Sequence, residues 1–202
     1  MEALVFDFET TGLNLHPNAR VALQPRAIEF AGLLIDADGE EHGELSFLCH
    51  PGKQITVEIT KITGITNEDL ASAHPFSRWL PRLRELFAAA DILVAHNLPF
   101  DHDIMSRELA TAHALEDWPW PKHNLCTAQL HEPLWGRRPR LVELYESVVG
   151  TKYVQTHRAL DDVRALARIV HERQLISLVA SMPKIANTGF PTGFRADQRG
   201  AT

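Results

Sequence analysis

"FDFETTG", residues 6–12, carries two carboxylates, Asp7 and Glu9, one residue apart inside an apolar run. Residues 3–8 are rich in Val and Phe and read as a strand. Residues two apart in a strand share a face. Asp7 and Glu9 therefore project together, on the side of Val5, while Leu4, Phe6 and Phe8 project to the other side and can enter a core. Two adjacent carboxylates repel each other and stay ionised only if a cation compensates them. No Lys or Arg occurs between Met1 and Pro17. A strand ending at Phe8, with Glu9 in a solvated loop, is the competing reading of this stretch taken alone.

A second acid lies in "AHNLPFDHDIM", residues 95–105. Asp101 and Asp103 both fall at the start of a helical pattern over residues 101–115, with Pro99 just before it. Helical offsets separate them. Asp101 shares a face with Ile104 and Met105 and points inward; Asp103 shares a face with Ser106 and Arg107 and points to water. An ordinary first-turn acid, favoured by the helix dipole, is the alternative for Asp101.

The third acid lies in "THRALDDVRALARIV", residues 156–170. Asp161 lines up with Ala165, Arg168 and Glu172, an outer face, and Asp162 with Leu166, Ile169 and Ile176, an apolar stripe. Asp162 is thus the buried acid. His157 stands five residues before it, on the approach to the helix. Four carboxylates from three segments need positive charge in one place, and two divalent ions neutralise a charge of −4. Oxygen ligands of this kind suit Mg²⁺ or Mn²⁺. Two such ions roughly 3.5–4 Å apart stabilise the attacking and leaving oxygens of an in-line phosphoryl displacement. A neutral histidine nearby can take the proton of the attacking water. These parts describe phosphodiester hydrolysis.

The bulk properties agree. The chain has 202 residues, 45% hydrophobic and 23% charged, which suits one soluble globular domain. No apolar run approaches a membrane span, and the acid at position 2 is unlike the basic start of a secretory signal. Two cysteines make no disulfide framework, and a cytoplasmic setting is expected. The net charge of −6 argues against a protein that coats nucleic acid, but not against an enzyme that grips a few nucleotides.

The remaining pattern predicts strands over residues 27–35 and 44–49, joined by a turn with Asp38-Gly39 at its tip. It predicts a short helix in residues 64–73 with Thr66 as N-cap. Helices are expected over 77–90, 101–115, 141–149 (closed by Gly150) and, as one long element, 160–179, with a buried strand at 91–96. Strands first, then strand and helices alternating, imply an α/β domain, a mixed central sheet flanked by helices, over residues 1–179. Residues 180–202 read as a flexible tail. "GRRPR", residues 136–140, is either a phosphate contact or a solvated turn. Trp118 and Trp120 are expected to cover the core, and His123 with Cys126 lacks the second pair that a zinc site needs.

With these motifs assembled, the chain resembles the DnaQ-like 3′–5′ exonucleases of the DEDDh type. "FDFETTGL" resembles the family's D-x-E motif, "HNLPFD" its second motif and "HRALDD" its H-x₄-D motif. "RAIEFAGLLID" resembles its second strand and "TGITNEDL" its H-G-I-T segment, although Thr63 stands where relatives often carry His. The resemblance implies a ribonuclease H-like fold and two-metal hydrolysis that releases nucleoside 5′-monophosphates from a 3′ end. It implies Asp7, Glu9, Asp101 and Asp162 as ligands of two Mg²⁺ or Mn²⁺ ions and His157 as general base. It implies substrate contacts from Thr10, Leu13, Ile65, Asn97 and Phe100. The implied partners are nucleic acid 3′ ends, DNA ahead of RNA, and a DNA polymerase or replication complex. Trimming of RNA 3′ ends is the second enzyme reading. A binding module that docks on replication proteins is the reading from another class. The segment from Leu15 to Arg26 looks longer than the family's usual link and reads as a tolerated insertion.

Overall fold

A computed structural model describes residues 1–13 and 23–185. Five strands form one sheet in the order β3-β2-β1-β4-β5: β1 (Ala3–Thr10), β2 (Ala27–Ile35), β3 (Glu41–Leu48), β4 (Ile92–Ala95) and β5 (His123–Cys126). β1 is central. It pairs antiparallel with β2 and parallel with β4. β3 is antiparallel to β2, and β5 is parallel to β4. The sheet is therefore mixed, as the order of predicted elements implies.

Helices cover both faces. α1 (Val57–Thr63), α2 (Asn67–Ala71) and a 3₁₀ turn (Phe76–Trp79) lead into α3 (Leu80–Ala89). α4 (Leu98–Thr111) follows β4, and α5 (Thr127–Trp135), α6 (Leu141–Val149), α7 (Ala159–Glu172) and α8 (Leu175–Ser181) follow β5. The alternation of β1 sorts two cores. Leu4, Phe6 and Phe8 join Phe30, Phe47, Phe76 and Phe87 on the face covered by α3 and α4. Phe8 and Phe30 have ring centroids 5.1 Å apart, and Phe30 and Phe47 5.4 Å. Ala3 and Val5 join Leu33, Val94, Val163 and Leu166 on the face covered by α7. Burial of such rings supplies the main apolar drive for closing this layer.

That sorting answers the question raised by Asp7 and Glu9. Ala3 and Val5 lie beneath α7, and the next two positions on the same face are the acids. Strand β1 does not stop at Phe8; it continues to Thr10, with Glu9 opposite Glu29 of β2. A register irregularity between Glu9 and Thr10 ends the regular pairing at that point.

Several local expectations hold. Thr66 caps α2 reciprocally with Asp69, and Gly150 closes α6 at φ 78°. Trp118 is buried against Phe87, with the guanidinium of Arg84 5.3 Å above its ring. Others need correction. The helix expected over 160–179 is two helices, broken at Gln174 in the left-handed region at φ 50°. The break lets Leu175, Ile176 and Val179 return to the α7 core, so the apolar spacing survives although the helix does not. Ala165, expected outside, is buried; it is small enough to sit at the edge of the α7 interface. The 77–90 helix begins with a 3₁₀ turn, α4 begins three residues early with Pro99 inside its first turn, and β3 begins at Glu41. α1, β5 and α5 carried too little apolar periodicity to be foreseen; β5 has only four residues. The segment read as an insertion lies largely outside the described residues, as does the tail beyond residue 185. Among the described residues, no helix is long and apolar enough to cross a membrane.

Candidate active site

The five expected catalytic positions come from four places in the fold. Asp7 and Glu9 project from the C-terminal end of β1. Asp101 lies in the first turn of α4, 2% exposed, and its Oδ1 accepts the backbone N–H of Phe8 at 3.3 Å. This bond ties the N-terminus of α4 to the peptide between the two β1 acids. Asp162 lies in the first turn of α7, 6% exposed. His157 stands exposed just before that helix with φ 54°. Glu9, His157 and Asp162 each offer a ligand atom within 4.8 Å of the others.

The neighbouring exposed acids point elsewhere. Asp103 pairs with Arg107 one turn along α4, and Asp161 accepts from Thr156 Oγ1 at 2.6 Å. The helical-face assignment of both Asp pairs therefore matches the structure.

The acids are strained electrostatically. Burial, and then the charges of Asp101, Glu9 and Asp162, push Asp7 well above the ordinary carboxylate range. Burial and the charges of Asp162, Glu29 and Asp101 push Glu9 up to about 8, and Arg158 pulls it back. That guanidinium is already engaged by Glu29. Burial pushes Asp101 up to about 8 against the lowering effect of the Phe8 N–H. Asp162 is raised by burial, while hydrogen bonds from Gln155 and Tyr153 lower it. Gln155 Nε2 donates to Asp162 Oδ2 at 2.7 Å and Tyr153 Oη to Oδ1 at 2.8 Å. A cluster in which burial raises all four acids, and Asp101 and Asp162 further raise Asp7 and Glu9, is one that a divalent cation would relieve. Carboxylate oxygens of this kind suit a hard divalent cation.

The expected substrate contacts divide. Thr10 is buried to 8% exposure, and its hydroxyl donates to the Gly12 carbonyl at 2.7 Å. Leu13 is 82% exposed. Asn97 is exposed and stands at the N-cap of α4 without a side-chain capping bond. Phe100 is half-buried against the aromatic core. Ile65 is 2% exposed and packs with Ile28, Ile55 and Leu70. The hydroxyl of Thr63 is likewise consumed locally, donating to the Ile59 carbonyl and accepting the Ile65 N–H.

The arginines of "GRRPR" are held by acids. Arg137 and Arg140 both reach Glu143, and Arg138 reaches Glu132. Tyr153, Gln155, Glu29 and Arg158 are the residues around the site that the sequence reading missed. Glu29 did carry a signal: it is the only charge in a nine-residue strand that is otherwise apolar. A buried acid in such a strand requires a partner.

A family model described as "Exonuclease" (RNase_T) matches residues 4–170. A protein of Mycobacterium tuberculosis (strain CDC 1551 / Oshkosh), whose name provisionally gives it both exonuclease and endonuclease functions, is 32% identical over 94% of this chain and 28% of its own length. The PolC-type DNA polymerase III of Thermotoga petrophila is 29% identical over 92% of this chain and 12% of its own length. The chain thus spans under a third of these relatives. Among solved structures, the nuclease domain of the DEDDh member 3′hExo bound to rAMP superposes with a TM-score of 0.69 at 20% identity, over 87% of this chain and 92% of that one. Exonuclease X in complex with 5′ overhanging duplex DNA gives 0.61 at 23%, over 90% and 93%. These two show the shared ribonuclease H-like fold. With its three acidic motifs convergent at the end of β1 and the family model spanning residues 4–170, the chain belongs to the RNase_T exonuclease family.

Proposed function

We propose that the protein is a metal-dependent 3′–5′ exonuclease, acting on DNA first, that releases nucleoside 5′-monophosphates. The observation that carries this reading is the convergence of Asp7, Glu9, Asp101 and Asp162, acids up to 155 positions apart (162 minus 7), beside His157. Folding a charge cluster of this kind without a cation is costly, and a scaffold gains nothing from it.

Asp7, Glu9, Asp101 and Asp162 would hold Mg²⁺ or Mn²⁺. When bound, such ions offset the acids' charge and stabilise negative charge on oxygens of a phosphodiester. His157, exposed at the mouth, accepts the proton of the attacking water. The water oxygen forms the new bond to phosphorus while the bond to the 3′ oxygen of the penultimate sugar breaks, and that oxygen takes up a proton. Thr10, next to Glu9 at the end of β1, and Asn97, at the start of α4, offer backbone and amide groups that can bind the terminal nucleotide. The PolC-type relatives are DNA polymerases by name, which supports DNA over RNA and a polymerase-linked setting.

The test is digestion of 5′-labelled single-stranded DNA and RNA with Mg²⁺ or Mn²⁺. Shortening from the 3′ end with nucleoside 5′-monophosphate product is expected, faster on DNA. Faster digestion of RNA would move the assignment to RNA 3′-end trimming. No digestion of either, together with capture by a polymerase, would replace it with the binding-module reading.

A further inference from the structure

The start of α7 is pinned to the sheet by one carboxylate. Glu29 of β2 has a side chain 4% exposed. Its Oε1 accepts Arg158 Nη2–H at 2.7 Å and Nε–H at 3.1 Å. Its Oε2 accepts the backbone N–H of Ala159 at 2.9 Å. A fork of this kind fixes a guanidinium in direction as well as distance. The same construction occurs once more. Glu108 of α4, 2% exposed, accepts Nε–H and Nη2–H of Arg26, each at 2.7 Å, and the N–H of Ala27 at 3.0 Å. Each buried glutamate thus captures an Arg-Ala pair, in "QPRAIEF" and in "THRALDD".

The residue just before the Arg158-Ala159 pair is His157. Its φ of 54° is a left-handed conformation that a non-glycine residue holds only when its surroundings enforce it. Arg158 is the N-cap of α7 but makes no side-chain cap bond to its own helix. Its guanidinium goes to Glu29 instead. The two residues after His157 are therefore anchored to β2, directly across from Glu9. Asp162 follows one turn on.

We propose that Glu29, through Arg158, is a positioning residue that holds the His157 ring at the Glu9–Asp162 edge of the site. Glu29 takes no part in the proton transfer. It fixes the peptide from which His157 is presented, so that the imidazole meets the attacking water at constant geometry. Glu108 serves the return of the chain into β2 and has no such link to His157. This inference rests on His157 acting as the base, and the experiment keeps the two apart.

The test is a double-mutant cycle. E29Q keeps the side-chain shape but leaves the fork unmatched. E29Q and R158K should each lower kcat by about 10–100-fold, with KM and Mn²⁺ affinity by calorimetry held within about threefold. The E29Q/H157A double variant should be no slower than H157A alone, because a group that acts through His157 has nothing left to position. E108Q, which removes the matched clamp, should multiply with H157A. Millimolar methylguanidinium should partly restore R158A but not R158A/H157A. The proposal is overturned if E29Q and R158K melt lower yet turn over normally, or if their effects multiply fully with that of H157A. If E29Q does not fold, the R158K and R158A arms decide by the same criteria. Unchanged turnover in H157A would remove the base assignment itself, a result visible without any Glu29 variant.

Discussion

The backbone N–H of Phe8 donates to Asp101 Oδ1 at 3.3 Å, so Asp101 is referenced to the peptide that separates Asp7 and Glu9. The Asp101 carboxylate is therefore held against the main chain that carries Asp7 and Glu9. Precision of this kind is what a site needs when geometry decides the rate.

The face assignments give the first prediction. D7A and D162A should reduce metal-dependent release of 5′-monophosphates to background. D103A and D161A should stay within about threefold of wild type, the scale of a surface change of about 0.5 kcal/mol. Asp103 and Asp161 have partners of their own, Arg107 and Thr156. Equal damage from D161A and D162A would show that the α7 face has been misread.

Stability should depend on pH in an unusual direction when metal is withheld. Glu9 rises from 4.5 to about 8 and Asp101 from 3.8 to about 8 in the folded protein. Both stay protonated in the folded state at pH values where the unfolded chain has released its protons. The folded state then binds more protons, and stability falls as pH rises from about 4 to about 8. Chelated protein should therefore melt at lower temperature at pH 8 than at pH 5, and Mg²⁺ should restore more at pH 8. A flat melting profile in chelator would contradict the burial of these two acids and the charge repulsion on Glu9.

Asp162 is oriented by donors on both of its oxygens. Y153F removes the 2.8 Å hydrogen bond from Tyr153 Oη while leaving the ring against Tyr145. Mn²⁺ affinity should weaken by about tenfold, the lower end of what loss of such an outer partner costs. Calorimetric titration of Mn²⁺ reads this directly, and unchanged affinity would make the bond incidental.

His157 and the acids should separate by readout. H157A should lower kcat by about 10²–10⁴-fold, the usual contribution of a general base, while Mn²⁺ binding remains. A parallel loss of Mn²⁺ affinity would make His157 a ligand, as its position within 4.8 Å of Glu9 and Asp162 also permits.

A structural control lies at the far end of the sheet. Gly39 has φ 83°, and a Cβ there would stand 2.8 Å from His171 Cδ2. G39A should destabilise the protein by on the order of 1–3 kcal/mol in urea unfolding, with kcat unchanged.

The sequence by itself determined which residues lie on which face. Period-two alternation in β1 and helical offsets in α4 and α7 separate Asp7 and Glu9 from the phenylalanines, Asp101 from Asp103, and Asp162 from Asp161. These are local properties of backbone geometry, and they hold wherever the element is placed. Only the tertiary structure decided what each face meets. It put Glu29 across from Glu9 and against Arg158, brought Tyr153 and Gln155 onto Asp162, and drew Ile65 into a core cluster. It also split the last helix at Gln174, where no proline or glycine marked the break. Pairings across 129 positions, such as Glu29 with Arg158, are selected by the packing of whole elements against each other, and no short window of sequence contains that information.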